Sequence, residues 1–261
     1  MVILRHELRQ GRASLAIWTA AVAVMLAVCI LIFPEMAADM KVIGNLFANM
    51  GVFSAAFGMD KLNFGEFTGF FCVECGNVLG LGGAFYAALT ASQMLCKEEK
   101  GRTAEFLLTH PVTRTRIVLE KLLAIVVQLV ILNGAAAAVT AVSVLAIGEE
   151  APVGTMALLF AGYFLMQLEL AAVTFGISAA LRRGGAGLGL GIAALCYFLN
   201  LAANLTEKAR FLKYITPFGY TDGAQIVADG ALHAGYLAAG MAYGAAGIAF
   251  AFLYYTKKDI A

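Results

Sequence analysis

Residues Leu15–Phe33 read LAIWTAAVAVMLAVCILIF, nineteen residues without a charge, followed by Pro34. A helix needs about 20 apolar residues to cross a hydrocarbon core about 30 Å thick, so this run predicts a membrane span. Pro34 predicts its end, because proline lacks the N–H that a continuing helix needs. The run is too long for a signal-peptide core, and no small-residue cleavage site follows it.

Five more runs of this kind follow, over Phe70–Leu95, Leu122–Ile147, Gly154–Leu181, Gly187–Leu205 and Ala234–Tyr255. They are continuously apolar and do not alternate, which predicts helices and argues against a barrel. Composition agrees: of 261 residues, 61% are apolar and 13% are charged. That is about half the usual charged fraction of roughly 25%. The reading is an all-α integral membrane protein with six transmembrane helices. A net charge of +1 gives no reason to expect nucleic acid as a partner.

Lysine and arginine set the orientation, since they concentrate in cytoplasmic loops. One side of the six-span scheme holds Arg5, Arg9, Arg12, Lys97, Lys100, Arg102, Arg114, Arg116, Lys121, Arg182, Arg183, Lys257 and Lys258, which is 13 residues. The other holds Lys41, Lys61, Lys208, Arg210 and Lys213, which is 5. Both termini are therefore expected in the cytoplasm.

Three segments outside the spans are informative. Residues 1–14 place Ile3, Leu4 and Leu8 against Arg5, Glu7, Arg9 and Arg12. That pattern predicts an amphipathic interfacial helix, or else a plain basic flank that sets topology. The loop Lys97–Lys121 is strongly charged yet carries Phe106, Leu107 and Leu108 at its middle. Thr103 could cap a short helix over 104–109 ended by Pro111, and its apolar side chains would invite a protein partner. The loop Thr206–His233 holds Phe211, Tyr214, Ile215, Phe218 and Tyr220, with a bend at Pro217 and Gly219. It reads as a re-entrant or interfacial loop on the outer side, with a short helix over Ala224–Ala228.

Ionisable and amide groups inside spans are candidates for a transport path, because each charge costs roughly 2.5–3.5 kcal/mol at the bilayer centre. Glu169 and Gln167 lie in the fourth run, and Glu74 and Asn77 in the second. Glu169 reads equally as a substrate- or proton-binding carboxylate and as a structural carboxylate held by a neighbouring helix. Interhelical hydrogen bonds account for the amides. Gly76/Gly80, Gly240/Gly244 and the series Gly185, Gly187, Gly189, Gly191 allow close helix approach, within one subunit or between two. Cys29, Cys72, Cys75, Cys96 and Cys196 form no disulfide framework, and no metal site is expected.

Taken together, these segments resemble an ATP-binding cassette type 2 permease, along the whole chain. The motif after the second run is Glu98 or Glu99, Gly101, Thr103, Glu105, Leu107, Leu108, Pro111, Val112, Arg114 and Lys121. Before the last run comes Pro217-Phe218-x-Tyr220-x-Asp222, and near the end Lys257-Lys258-Asp259. Arg102, set between Gly101 and Thr103, departs from the family pattern. The resemblance is to six-span permeases such as the sodium-extrusion and bacitracin-resistance groups.

That resemblance implies a single permease domain, 1–261, with the type 2 exporter fold. It implies that the 97–121 loop couples to a cytoplasmic ATPase through Glu98, Glu99, Gly101, Thr103, Glu105, Leu107, Leu108, Pro111 and Arg114. Two ATPase copies would bind ATP and magnesium and would serve two permease copies, identical or paralogous. No cofactor would be bound by this chain. It carries no G-x-x-x-x-G-K-[ST] loop and is expected not to be an enzyme by itself. The expected cargo is hydrophobic or amphipathic, a peptide antibiotic, drug or lipid-like molecule, exported across a bacterial cell membrane. The rival readings are a membrane-embedded enzyme, for which His6, His110 and His233 lie too scattered, and a secondary transporter, which would leave the charged loop unexplained.

Overall fold

The computed structural model describes residues 2–48, 62–63, 65–103, 112–150, 152–182 and 184–258. All of the regular structure in them is helical. Helix α1 covers Val2–Ala48 and α2 covers Phe67–Met94. A single turn, α3, covers Lys97–Lys100. Then come α4, Arg114–Ile147, α5, Val153–Ala180, and α6, Ala186–Leu205. Two 3-10 segments, Glu207–Tyr214 and Pro217–Tyr220, and the short α7, Gly223–Asp229, lead to α8, Ala234–Lys257.

Six of these helices are long and apolar enough to cross a membrane: α1 over Val2–Ala37, then α2, α4, α5, α6 and α8. An even number of crossings puts the N-terminal end of α1 and the C-terminal end of α8 on one side, here called the terminal face. Large apolar side chains stand exposed along the spans, among them Val24 and Leu31 on α1, Val142 on α4, Phe198 on α6 and Leu253 on α8. In water such a surface would aggregate, whereas hydrocarbon solvates it.

One expectation needs correction. Pro34 does not end the first helix but lies inside α1. Breaking the helix there would free several backbone groups in an apolar setting, while continuing it forfeits only the one N–H that proline lacks. The segment 1–14 is likewise continuous with the span from Val2 onward. At 1.5 Å per residue the 47 residues of α1 extend about 70 Å, well over the thickness of a bilayer. The helix expected over 104–109, with Glu105, Leu107, Leu108 and the following Pro111, lies outside the described residues.

Helix α5 is the centre of the bundle, packing against α2, α4, α8 and, less closely, α6, while α1 lies along α4. It approaches α8 at backbone distance. A Cβ at Gly247 would meet the Ala172 carbonyl oxygen at 2.6 Å, and one at Gly176 would meet the Gly247 carbonyl oxygen at 2.6 Å. On the other side, Tyr163 of α5 fits over Gly76 and Gly80 of α2, where the helix widens into a π turn at Gly76–Leu81. The Gly76/Gly80 and Gly240/Gly244 pairs thus serve packing inside this subunit. The α6 glycines divide: Gly185 and Gly189 press on Ser92 and Ala88 of α2, and Gly187 and Gly191 face open space.

Replacing Gly176 by Val should force α5 and α8 apart, at a cost of about 1–3 kcal/mol. We expect a lower thermal midpoint in detergent, read by the loss of the monodisperse peak on size exclusion after heating. Gly134→Ala, at an exposed position of α4 where a Cβ meets nothing within 4 Å, should leave that midpoint unchanged.

Candidate functional site

The terminal face carries a set of buried ions. Lys121, about two turns into α4, has no exposed side-chain surface. An ammonium has three N–H donors, and here each finds an acceptor. Lys121 Nζ donates to Glu7 Oε1 of α1 at 2.8 Å, to the Met94 carbonyl at the end of α2 at 2.8 Å, and to Glu98 Oε1 of α3. Lys97 Nζ donates to the other Glu7 oxygen and to Gln10 Oε1 at 2.7 Å. A second node sits beside the first. Lys258 Nζ donates to Glu99 Oε1 at 2.6 Å and to the Ala179 and Leu181 carbonyls, each at 3.0 Å, where α5 ends.

Adjacent glutamates on one helical turn therefore hold different parts of the bundle. Glu98 ties α3 to α1, α2 and α4, and Glu99 ties it to α5 and α8. Arg114, at the start of α4, donates from Nη1 to the Lys258 carbonyl at 2.5 Å and to the Thr256 carbonyl at 3.3 Å. It satisfies carbonyls that the end of α8 leaves open and favours the negative end of that helix dipole. Glu98, Glu99 and Arg114 are thus each occupied within the chain. Glu98 Oε2 is buried with no donor among the described residues.

Gly101 and Thr103 belong to the cap of α3. The Thr103 N–H donates to the Glu98 carbonyl at 2.9 Å and the Arg102 N–H to the Glu99 carbonyl at 3.2 Å. This is the paired bonding of a Schellman motif, whose left-handed position usually falls to glycine. Arg102 fills it, with φ 54°. The residue that departed from the family pattern is the one that closes the turn.

The transport-path candidates do not form one site. Gln167 and Glu169, two residues apart, lie on opposite sides of α5. Gln167 Oε1 accepts from Asn133 Nδ2 of α4 at 2.6 Å, and its Nε2 donates to the Leu79 carbonyl of α2 at 3.4 Å. It joins three spans, as the structural reading of the amides expects. Glu74 accepts from Cys29 Sγ at 3.6 Å, and Asn77 Oδ1 from the Tyr197 hydroxyl at 3.4 Å, which links α2 to α1 and α6.

Glu169 faces α8, where a Cβ at Gly240 would fall on its carboxylate. Its Oε2 accepts from the Tyr220 hydroxyl at 3.0 Å. Burial first, and then the carboxylate beside it, push the Tyr220 phenol up, so it remains a protonated donor.

Tyr220 reaches so deep because the 206–233 segment folds back into the bundle. Thr216 Oγ1 donates to the Cys196 carbonyl at 2.8 Å, nine residues back from the end of α6, a depth of about 14 Å. Each motif residue of this segment has a part. Pro217 opens the 3-10 segment behind the Thr216 cap. Phe218 packs edge-on to Tyr197, with ring centroids 5.5 Å apart. Asp222 accepts from Lys213 Nζ at 2.8 Å, and its other oxygen caps α7 at the Ala224 and Gln225 N–H groups. Irregular backbone at this depth is tolerated where protein encloses it, and all four residues of Pro217–Tyr220 are buried.

Sequence reasoning missed mainly the partnerships, and one residue. Glu7 and Lys258 stood out only as parts of an amphipathic pattern and a basic ending, and Tyr163 not at all. All five cysteines are free thiols. Among the described residues no group of His, Cys, Asp and Glu could hold a metal ion.

The arrangement is a bundle with a charged hub at one face and, between α5 and α8, a buried carboxylate held by a tyrosine. The family model described as ABC-2 family transporter protein matches residues 1–260. A comparison with curated proteins finds no match. With a match over nearly its whole length, this chain belongs to the ABC-2 transporter family.

Proposed function

We propose that this chain is the membrane-spanning permease subunit of an exporter whose power stroke comes from a separate cytoplasmic ATPase. The terminal face would be cytoplasmic, as the excess of lysine and arginine there supports. The observation that carries the reading is the two-node hub on α3, at the head of the 104–111 segment. A partner that moves this segment would move α3. Glu98–Lys121 and Glu99–Lys258 would then carry the displacement to all the spans they tie. Two ATPase copies would bind ATP and magnesium, and the apolar residues Leu107 and Leu108 would seat in the partner. The cargo would be hydrophobic or amphipathic and leave by the face that carries the 206–233 segment, across a bacterial plasma membrane.

A second permease copy would meet α6. Its residues Gly187, Gly191, Leu195 and Phe198 recur at helical spacing and stand exposed. Small residues beside large apolar ones suit close helix contact in lipid. Phe198→Cys, on a background without the five native cysteines, should cross-link two copies with a short bis-maleimide, and Leu253→Cys on α8 should not.

Coupling is tested at the loop and at the hub. Replacing Leu107 and Leu108 by Asp should abolish co-purification with the partner ATPase. An intact complex with undiminished transport would overturn the docking role. Lys258→Met strands the Glu99 carboxylate and should cost about 3–5 kcal/mol of stability. The double change Glu99→Gln with Lys258→Met removes the stranded charge and should recover much of that stability. Transport by the double variant should still fall at least tenfold, with the ATPase still bound. Full transport would show that the Glu99 node carries no motion.

A further inference from the structure

Glu169 borders two clefts, one on either side of α8. The larger, about 480 Å³, lies between α5, α6, α8 and the Pro217 turn. The smaller, about 330 Å³, lies between α4, α5 and α8. Both fall in the range of roughly 300–1,000 Å³ typical of small-molecule sites. In both, Glu169 is the one acidic or basic residue of the lining.

An ionised carboxylate in such a setting needs a counter-charge. Tyr220 supplies one hydrogen bond, and a carboxylate has about four acceptor positions. Among the described residues no Lys or Arg forms an ion pair with it, in contrast to Glu7, Glu98 and Glu99, each of which holds a lysine. The rest of the larger cleft is apolar, with Val173, Ile177 and Ile192 on its walls. Tyr243 and Phe250 stand at its mouth, exposed on the lipid-facing side of α8. Aromatic faces attract organic cations that have shed water. The smaller cleft has no aromatic lining.

We infer that the larger cleft binds a hydrophobic quaternary cation, an ammonium or phosphonium. Its charged head pairs with Glu169, its apolar body lies along α5 and α6, and it enters from the membrane between Tyr243 and Phe250. Its α6 residues, Ile192 and Cys196, lie about 100–180° around the helix from Gly187 and Gly191, a different face from the one proposed for the second copy. That such a molecule is cargo rests on the permease reading; that it binds does not.

The test uses the full chain in a non-ionic maltoside detergent without any ATPase. Binding of radiolabelled tetraphenylphosphonium, whose charge does not titrate, is measured by scintillation proximity. We expect saturable binding, displaced by dodecyltrimethylammonium and not by dodecanol. Glu169→Gln, which keeps the shape and can still accept from Tyr220, should weaken it at least tenfold. Ala246→Trp, which fills the larger cleft from its open side, should do the same, and Ala245→Trp, which fills the smaller one, should not. Wild-type affinity in Glu169→Gln, displacement by dodecanol as readily as by the cation, or the absence of saturable binding would each overturn the proposal. Any of these leaves the permease reading standing, because that reading fails instead on ATPase co-purification.

Discussion

Lys121 holds a positive charge where water has no access, and its surroundings are arranged to make that tolerable. Moving an ammonium out of water costs several kcal/mol unless its donors are all satisfied and its charge is matched. Two carboxylates and a carbonyl do so, and they come from α1, α2 and α3. The charge is matched only when those elements are together. Assembly of the terminal face is therefore an electrostatic condition as much as a packing one. Because the pair is buried, salt screens it far less than it would a surface bridge.

The opposite half of the bundle is held by a different rule. Lipid offers no hydrogen bonds, so every polar group that enters must be matched by protein. The folded-back segment meets this with local devices: the Thr216 and Asp222 caps, the 3-10 turns and the Lys213–Asp222 pair. Deeper still, Gln167 and Asn133 match each other across α4 and α5. Glu169 stands apart from this economy. Among the described residues it has a donor in Tyr220 but no cation, and unlike Glu74, which meets only the Cys29 thiol, it borders two clefts.

Much of this was legible in the sequence, and the reasons are physical. Span positions follow from apolar length, so the six runs agree with the helices to within a few residues, except where charged extensions lengthen α1 and α4. Pro34 misled because its cost is set by the solvent: helix termination needs water to take up the freed groups. The caps at Asp222 and Arg114 sit on motif residues, yet the motif does not say what they bind. Pairings such as Glu7 with Lys121, or Glu169 with Tyr220, join residues more than fifty positions apart, and no local pattern encodes them. Gly101, Thr103 and Arg102 show the same division, since the motif marked the positions and only backbone geometry assigned the left-handed residue.

Helix α3 is a single turn, and a helix of that length does not hold its shape in water. What rigidity it has comes from outside, from the Schellman closure at Arg102 and from two lysines anchored in separate helices. It is thus a joint whose stiffness depends on the parts it joins. If α4 and α8 were to drift apart, the turn between them would lose its geometry before either helix deformed. The same junction that could transmit a stroke would then act as a slip clutch, disengaging under strain while leaving the membrane spans intact.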